Sequence, residues 1–275
     1  MIQFLRDIFF KHTLNIHSWR QQNVELSSKN TGSTYTISLF LPVKQAQNIT
    51  FLLLNDGQDS VKMNLLSILE KFSAKKLHTA FAVAAIHAAN RMQDYGWGSE
   101  GNLYNHGKKA PQYRHFILEE LLPYLQKNFQ AAAANHCIAG FSLGGISALD
   151  IAWQSDSVFD KVGVFSGALW WRKTRAASSQ PDQGRLVIDD IFKSQYKPNL
   201  QFWFQAGTED ETDDRNHNGI IDAIDDTLDT CQALICKAYR PFYDVQYLEI
   251  PQGKHDIATW AAAMPAFLQW AFGKK

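Results

Sequence analysis

Residues 136–145 read HCIAGFSLGG: a short apolar run, a serine flanked by glycines, and the start of a run with helical spacing. The segment Gly140-Phe141-Ser142-Leu143-Gly144 fits the pattern GxSxG between a buried strand and a helix. In that setting a sharp, strained turn lifts the serine hydroxyl above the carboxyl end of a sheet, and bulky side chains two positions to either side would fill the turn. The plainer alternative is a glycine-rich turn whose Ser142 caps the helix.

Working outward, the runs 49–54 (ITFLLL), 79–86, 161–165, 200–205 and 243–250 also read as strands. Stretches of helical spacing, 60–72, 113–129, 143–153, 223–239 and 257–272, separate or follow them. Strand, helix and strand in succession require a parallel sheet with helices on both faces, because the crossover between parallel strands is right-handed. Residues 34–41 (TYTISLFL) alternate and end at Pro42, so they predict a strand with one solvated face, antiparallel to residues near 22–27. The fold class is therefore α/β, a mostly parallel central sheet with antiparallel N-terminal strands. One domain over residues 1–275 is expected. Two stretches interrupt the alternation, 88–111 and 169–198, and such insertions at the carboxyl ends of strands form binding clefts.

Composition narrows the function. Lys plus Arg and Asp plus Glu both count 27, so no net field draws the 275-residue chain to nucleic acid or to an anionic membrane. The three cysteines have neither zinc nor CxxC spacing and read as reduced thiols. Apolar runs are of strand length, well short of the roughly 18 residues of a membrane span. Residues 1–19 carry Arg6, Asp7, Lys11 and His12 where a leader peptide needs an unbroken apolar stretch, which points to a cytoplasmic protein.

A serine nucleophile needs a base within hydrogen-bond reach, and on this scaffold the partners follow in the order Ser, acid, His. His255, in Gly253-Lys254-His255-Asp256 at the end of the last strand, is the candidate base; His87 and His115 read as core or cleft residues. Glu209 and Asp210, in GTED after the strand at 200–205, are the candidate acids. The developing oxyanion needs two aimed N–H groups. One candidate is Leu143, directly after the nucleophile; the other is Gln58, with Gly57 next, in the turn Asn55-Asp56-Gly57-Gln58.

With LLLNDGQD (52–59), the stretch 113–124 ending in EELLPY, IAGFSLGG (138–145) and GKHDIATW (253–260), the chain from Thr34 onward resembles the putative-esterase family of α/β hydrolases. That family includes enterochelin esterases, feruloyl esterases, S-formylglutathione hydrolases and mycolyltransferases. The resemblance implies an α/β-hydrolase fold and a serine ester hydrolase or acyltransferase with no organic cofactor and a small-molecule ester as its partner. It favours Asp210 over Glu209 as the acid, at the fourth position of GxxD, and Gln58 as the oxyanion donor after the Asp-Gly pair. Asn55 departs from the pattern, which usually has an apolar residue there.

Two further groups of residues stand out. Residues 214–225 (DRNHNGIIDAID) place Asp214, Asn216, Asn218, the carbonyl of Ile220, Asp222 and Asp225 at EF-hand-like positions around Gly219, so a structural Ca²⁺ is expected; the alternative is an Asp- and Asn-rich turn with Asp222 capping a helix. Asp56, Arg91, Tyr95, Trp97 and Trp170 are the candidate substrate contacts, although Arg91 with Asp94 also reads as an ion pair holding its loop, and Trp170 with Trp171 as packing for the insertion. The leading expectation is a serine esterase working through an acyl-enzyme. The alternatives are an acyltransferase on the same scaffold and a catalytically silent, calcium-dependent binding protein. Oligomeric state is not legible.

Overall fold

The computed structural model describes residues 18–43, 48–72 and 80–274. Residues 1–17 of the leader reading, and the expected start of a strand at Thr79, lie outside the described residues.

Among the described residues, eight strands form one mixed sheet: β1 (Trp19–Ser27), β2 (Thr34–Pro42), β3 (Thr50–Asn55), β4 (Phe81–Ile86), β5 (His136–Phe141), β6 (Phe159–Phe165), β7 (Gln201–Glu209) and β8 (Val245–Lys254). Their spatial order is β1-β2-β4-β3-β5-β6-β7-β8. β1 and β2 pair antiparallel with Ser27 opposite Thr34, β2 runs antiparallel to β4, and every pair from β4 to β8 is parallel. The expected fold class is the one found.

The apolar runs are continuous because these strands bury both faces. In β3, Phe51 and Leu53 join one hydrophobic cluster while Leu52 and Leu54 join the other. The first cluster receives α3 (Ala110–His115), α4 (Leu122–Phe129), α5 (Leu143–Gln154), α6 (Leu186–Lys193) and α7 (Asp222–Cys236). The opposite cluster receives α1 (Leu65–Lys71) and α8 (Ile257–Phe272). A one-turn helix, α2 (Arg91–Asp94), lies in the first insertion. Among the described residues no helix is long and apolar enough to cross a membrane.

Several boundaries differ from expectation. The helix expected at 60–72 shortens to α1, because Gly57–Asp59 form a 3₁₀ turn ahead of it and Asn64 adopts a left-handed conformation. The helix expected at 113–129 begins at Ala110 and passes through a π-helical segment, Phe116–Leu121, between α3 and α4. β7 runs on through Glu209 and β8 through Lys254, so the candidate acid and base sit directly at strand ends.

Candidate active site

Ser142 stands between β5 and α5 with φ 54° and ψ −120°, and its N–H donates to Phe165 O at 2.9 Å. A left-handed φ on a serine is strained and persists only where the surroundings hold it. A Cβ on Gly140 would overlap the carbonyl of Gly144, so the turn closes only with glycine there.

His255 follows the last residue of β8 and packs edge-on against Trp260, ring centroids 5.3 Å apart. Burial holds its imidazole below the usual histidine value; Asp210 pulls it up, Arg91 pushes it down and Asp256 pulls it up again. Asp210 is buried, and its carboxylate accepts from Gly207 N–H at 3.0 Å and from the Ser166 hydroxyl at 3.1 Å. Glu209 instead points outward, 4.0 Å from Lys254 Nζ. Ser166, at the end of β6 with φ 45°, also accepts from Trp260 Nε1 at 2.9 Å. The sequence reading missed Ser166; its only signal was a small polar residue and a glycine closing a buried strand.

The turn after β3 is held just as closely. A Cβ on Gly57 would collide with the backbone of Ala85. The first bond of its 3₁₀ turn runs from Asp59 N–H to Asp56 O at 3.0 Å, leaving the Gly57 and Gln58 amides ahead of it. Leu143 is likewise the first residue of α5, where an N–H has no helical acceptor. Asp56 lies beneath this turn, clasped by Arg91 through Nε at 2.8 Å and Nη2 at 3.2 Å. Burial raises the Asp56 carboxyl, and the Arg91 bonds oppose that rise.

Ser142 and His255 line a cleft with two lobes. One carries the charged groups Asp56, Asp59, Arg91 and Asp256 together with Gln58, Ile257, Ala258 and Trp260. The other is mostly apolar, walled by Met92, Tyr104, His106, Leu143, Ala168 and Trp170 above Asp210. Tyr104 meets Trp170 edge-on at 5.9 Å.

Some expected contacts need correction. Tyr95 and Trp97 are buried: the Tyr95 hydroxyl accepts from Asp56 N–H at 3.1 Å, and Trp97 Nε1 donates to Asp190 at 2.7 Å. Tyr95 thus holds Asp56, which lines the cleft, from behind. Arg91 pairs with Asp56, whereas Asp94 is taken up by the Tyr35 hydroxyl at 2.9 Å and Asn90 N–H at 3.1 Å. Trp171 is buried against Gly96 and Gly107. His115 is half exposed beside Glu119, outside core and cleft alike.

In the 214–225 loop, Asp225 Oδ2 accepts from the Asn216 and Asn218 amides at 3.1 and 2.8 Å, and Asp214 accepts from Asn218 and Gly219 N–H at 3.1 and 2.9 Å. Ile220 N–H donates to Asn218 Oδ1 at 2.7 Å. Asp222 turns away from this ring: Oδ1 accepts from Arg215 N–H at 2.9 Å, and Oδ2 lies 3.2 Å from Arg215 Nη1. Its place as a calcium ligand is corrected accordingly, and Ile221, not Asp222, precedes α7 as the cap. Among the described residues no group of three or more His, Cys, Asp or Glu is disposed to hold a metal ion, so the calcium expectation gains no support here.

The model of the family described as putative esterase matches residues 28–271. The chain belongs to the putative-esterase family. As a member it is an ester hydrolase, and esterases of this family need no organic cofactor. Among solved structures it is similar to a ferulic acid esterase, with 16% identity, TM-score 0.69, and coverage of 93% of this chain and 98% of that one. It is also similar to the enterobactin esterase FES from Shigella flexneri, at 16% identity and TM-score 0.70, covering 92% of this chain and 59% of that longer chain. An IroE-like serine hydrolase from Shewanella oneidensis gives 17% identity, TM-score 0.68, and coverage of 90% and 80%. At such identities these likenesses speak for the α/β-hydrolase fold. No curated protein sequence matches.

Proposed function

We propose that this putative-esterase member is a serine carboxylic-ester hydrolase in which Ser142 attacks the ester carbonyl, His255 takes the serine proton and returns it to the leaving alcohol, and Asp210 orients His255. The amides of Leu143 and Gln58 receive the oxyanion, and water then resolves the acyl-enzyme. The observation that carries this reading is the strained Ser142 at the floor of a cleft whose two lobes both include His255, with buried Asp210 beneath. The lowered proton affinity of His255 keeps its imidazole neutral at pH 7, as a general base must be.

The two lobes give the proposal a substrate class. An apolar or aromatic acyl group suits the lobe of Tyr104, His106 and Trp170, and a polar alcohol suits the lobe of Asp56, Asp59 and Arg91. The names of the ferulic acid and enterobactin esterases are in keeping with an aromatic acid. The test is hydrolysis of p-nitrophenyl acetate, p-nitrophenyl butyrate and methyl ferulate by wild type and Ser142→Ala, with fluorophosphonate labelling. A loss of about 10⁴-fold or more in Ser142→Ala, with the label on Ser142, is the expected result. A folded variant that keeps most activity overturns the proposal.

A finer part of the proposal is a structural Ca²⁺ at 214–225, resting on the EF-hand-like spacing of Asp214, Asn216, Asn218 and Asp225 around Gly219. Terbium luminescence titration, reversed by Ca²⁺, tests it directly. An absence of luminescence, with a melting temperature unchanged by EDTA, removes it.

A further inference from the structure

Asn55 closes β3, a strand that is otherwise apolar through 51–54, and its side chain has no solvent exposure. A buried amide weakens a core unless its donor and acceptor are both met. Here both are. Asn55 Nδ2 donates to Gly144 O at 2.9 Å, and Asn55 Oδ1 accepts from the Tyr113 hydroxyl at 2.7 Å. Tyr113 is itself fully buried and meets Tyr95 edge-on at 5.3 Å; the Tyr95 hydroxyl in turn holds Asp56 N–H.

These contacts link two turns that are 89 residues apart in sequence. Asn55 lies three residues before Gln58, and Gly144 lies one residue after Leu143. The approach is close enough that a Cβ on Gly144 would come within 2.5 Å of Asp56 Oδ2 and 3.1 Å of the Asn55 Cβ. An oxyanion site works only while its two donors keep their separation to within about 0.5 Å. An apolar residue at position 55 would pack the same space without the hydrogen bond to Gly144 O that joins the two turns in this chain.

We infer that Asn55 is a positioning residue: with Tyr113 behind it, its side chain clamps the β3 turn to the first turn of α5 and so sets the spacing of the Gln58 and Leu143 amides. This rests on the oxyanion assignment proposed above. The clamp acts on the tetrahedral state and leaves the ground-state contacts of the substrate unchanged.

The experiment compares wild type, Asn55→Leu, Tyr113→Phe and Ser142→Ala in ester hydrolysis, thermal melting, and inhibition by an alkylboronic acid that forms a tetrahedral adduct on serine. Asn55→Leu should lower kcat by about 10- to 100-fold, with KM within about threefold, and weaken boronic-acid inhibition by a similar factor. Tyr113→Phe, which keeps its shape, should lower kcat by about threefold or more and also leave KM in place. If Asn55→Leu folds and retains kcat within twofold, the clamp is wrong. If Asn55→Leu does not fold, Tyr113→Phe decides: unchanged kcat overturns the inference. Ser142→Ala separates the two levels, since an active Ser142→Ala refutes the proposed function itself, whereas an inactive one beside a fully active Asn55→Leu refutes the clamp alone.

Discussion

The hydroxyl of Ser166 donates to Asp210 Oδ1 at 3.1 Å while accepting the indole N–H of Trp260 at 2.9 Å, so the end of β6 fixes a carboxylate borne by the end of β7. Trp260 also stacks on Phe141 at 5.1 Å and supports His255 edge-on, which ties His255, Asp210 and the elbow strand into one packed unit. Removing the hydroxyl in Ser166→Ala deprives the carboxylate of a donor and the buried indole of its acceptor. With about 1.5 kcal/mol for a hydrogen bond to a charged group, kcat should fall roughly 10-fold. Steady-state kinetics on a variant with an intact melt check this; an unchanged kcat would reduce Ser166 to a packing residue.

The exposure of the two neighbouring carboxylates gives opposite expectations for them. Asp210 is buried and twice hydrogen-bonded, whereas Glu209 faces solvent beside Lys254. Asp210→Asn preserves shape and removes the charge that stabilises the imidazolium, so kcat should drop by about 10³- to 10⁴-fold. Glu209→Gln should stay within about twofold, as a surface ion pair contributes little. The reverse ranking would transfer the role to Glu209.

The pH profile follows from the surroundings of His255. Protonated His255 cannot accept the serine proton, so activity is lost as pH falls through its pKa. Burial and Arg91 hold that value below the ordinary 6.5 against the pull of Asp210 and Asp256. The acid limb of kcat/KM is therefore expected to have its midpoint below pH 6.5. Arg91→Gln removes one lowering influence, so the limb should move to higher pH. A wild-type midpoint above 6.5, or a limb that stays fixed in the variant, would contradict this account.

Stability should depend strongly on a charge network away from the cleft. Asp226 on α7 is buried and binds Arg185 Nη1 at 2.7 Å and Arg215 Nη1 at 3.1 Å; Arg185 also reaches Asp229 at 2.6 Å, and Arg215 reaches Asp182 at 2.8 Å. Burial raises the Asp226 carboxyl above the ordinary carboxylate range although both arginines oppose the rise. Asp226→Ala removes the buried carboxylate that both arginines share and leaves Arg185 with Asp229 and Arg215 with Asp182 and Asp222. It should cost about 1–3 kcal/mol in urea unfolding, and a loss below about 0.5 kcal/mol would show that these remaining partners compensate fully.

Local pattern was enough for the part of this protein in which chemistry and chain geometry coincide. The apolar runs around 51–54, 81–86 and 136–141 determined a parallel sheet because strands buried on both faces must be apolar at every position. GxSxG determined the elbow because the backbone of Gly144 closes over Gly140. The placement of His255 and of the GTED carboxylates at strand ends was legible for the same reason: strand ends on a parallel sheet converge at one edge. The choice between neighbours came from the family resemblance, not from local pattern. Glu209 and Asp210 are adjacent in sequence, and only the approach of Ser166 and Gly207 N–H buries one of them. Tyr95 and Trp97 read as cleft aromatics until their hydroxyl and indole N–H were found to serve Asp56 and Asp190. Asn55 looked like a departure from a family pattern; its reason lies in Gly144 and Tyr113, partners 89 and 58 residues away. Periodicity is a property of the chain and can be read along it, but hydrogen bonds that cross between distant turns exist only once the sheet has brought those turns together.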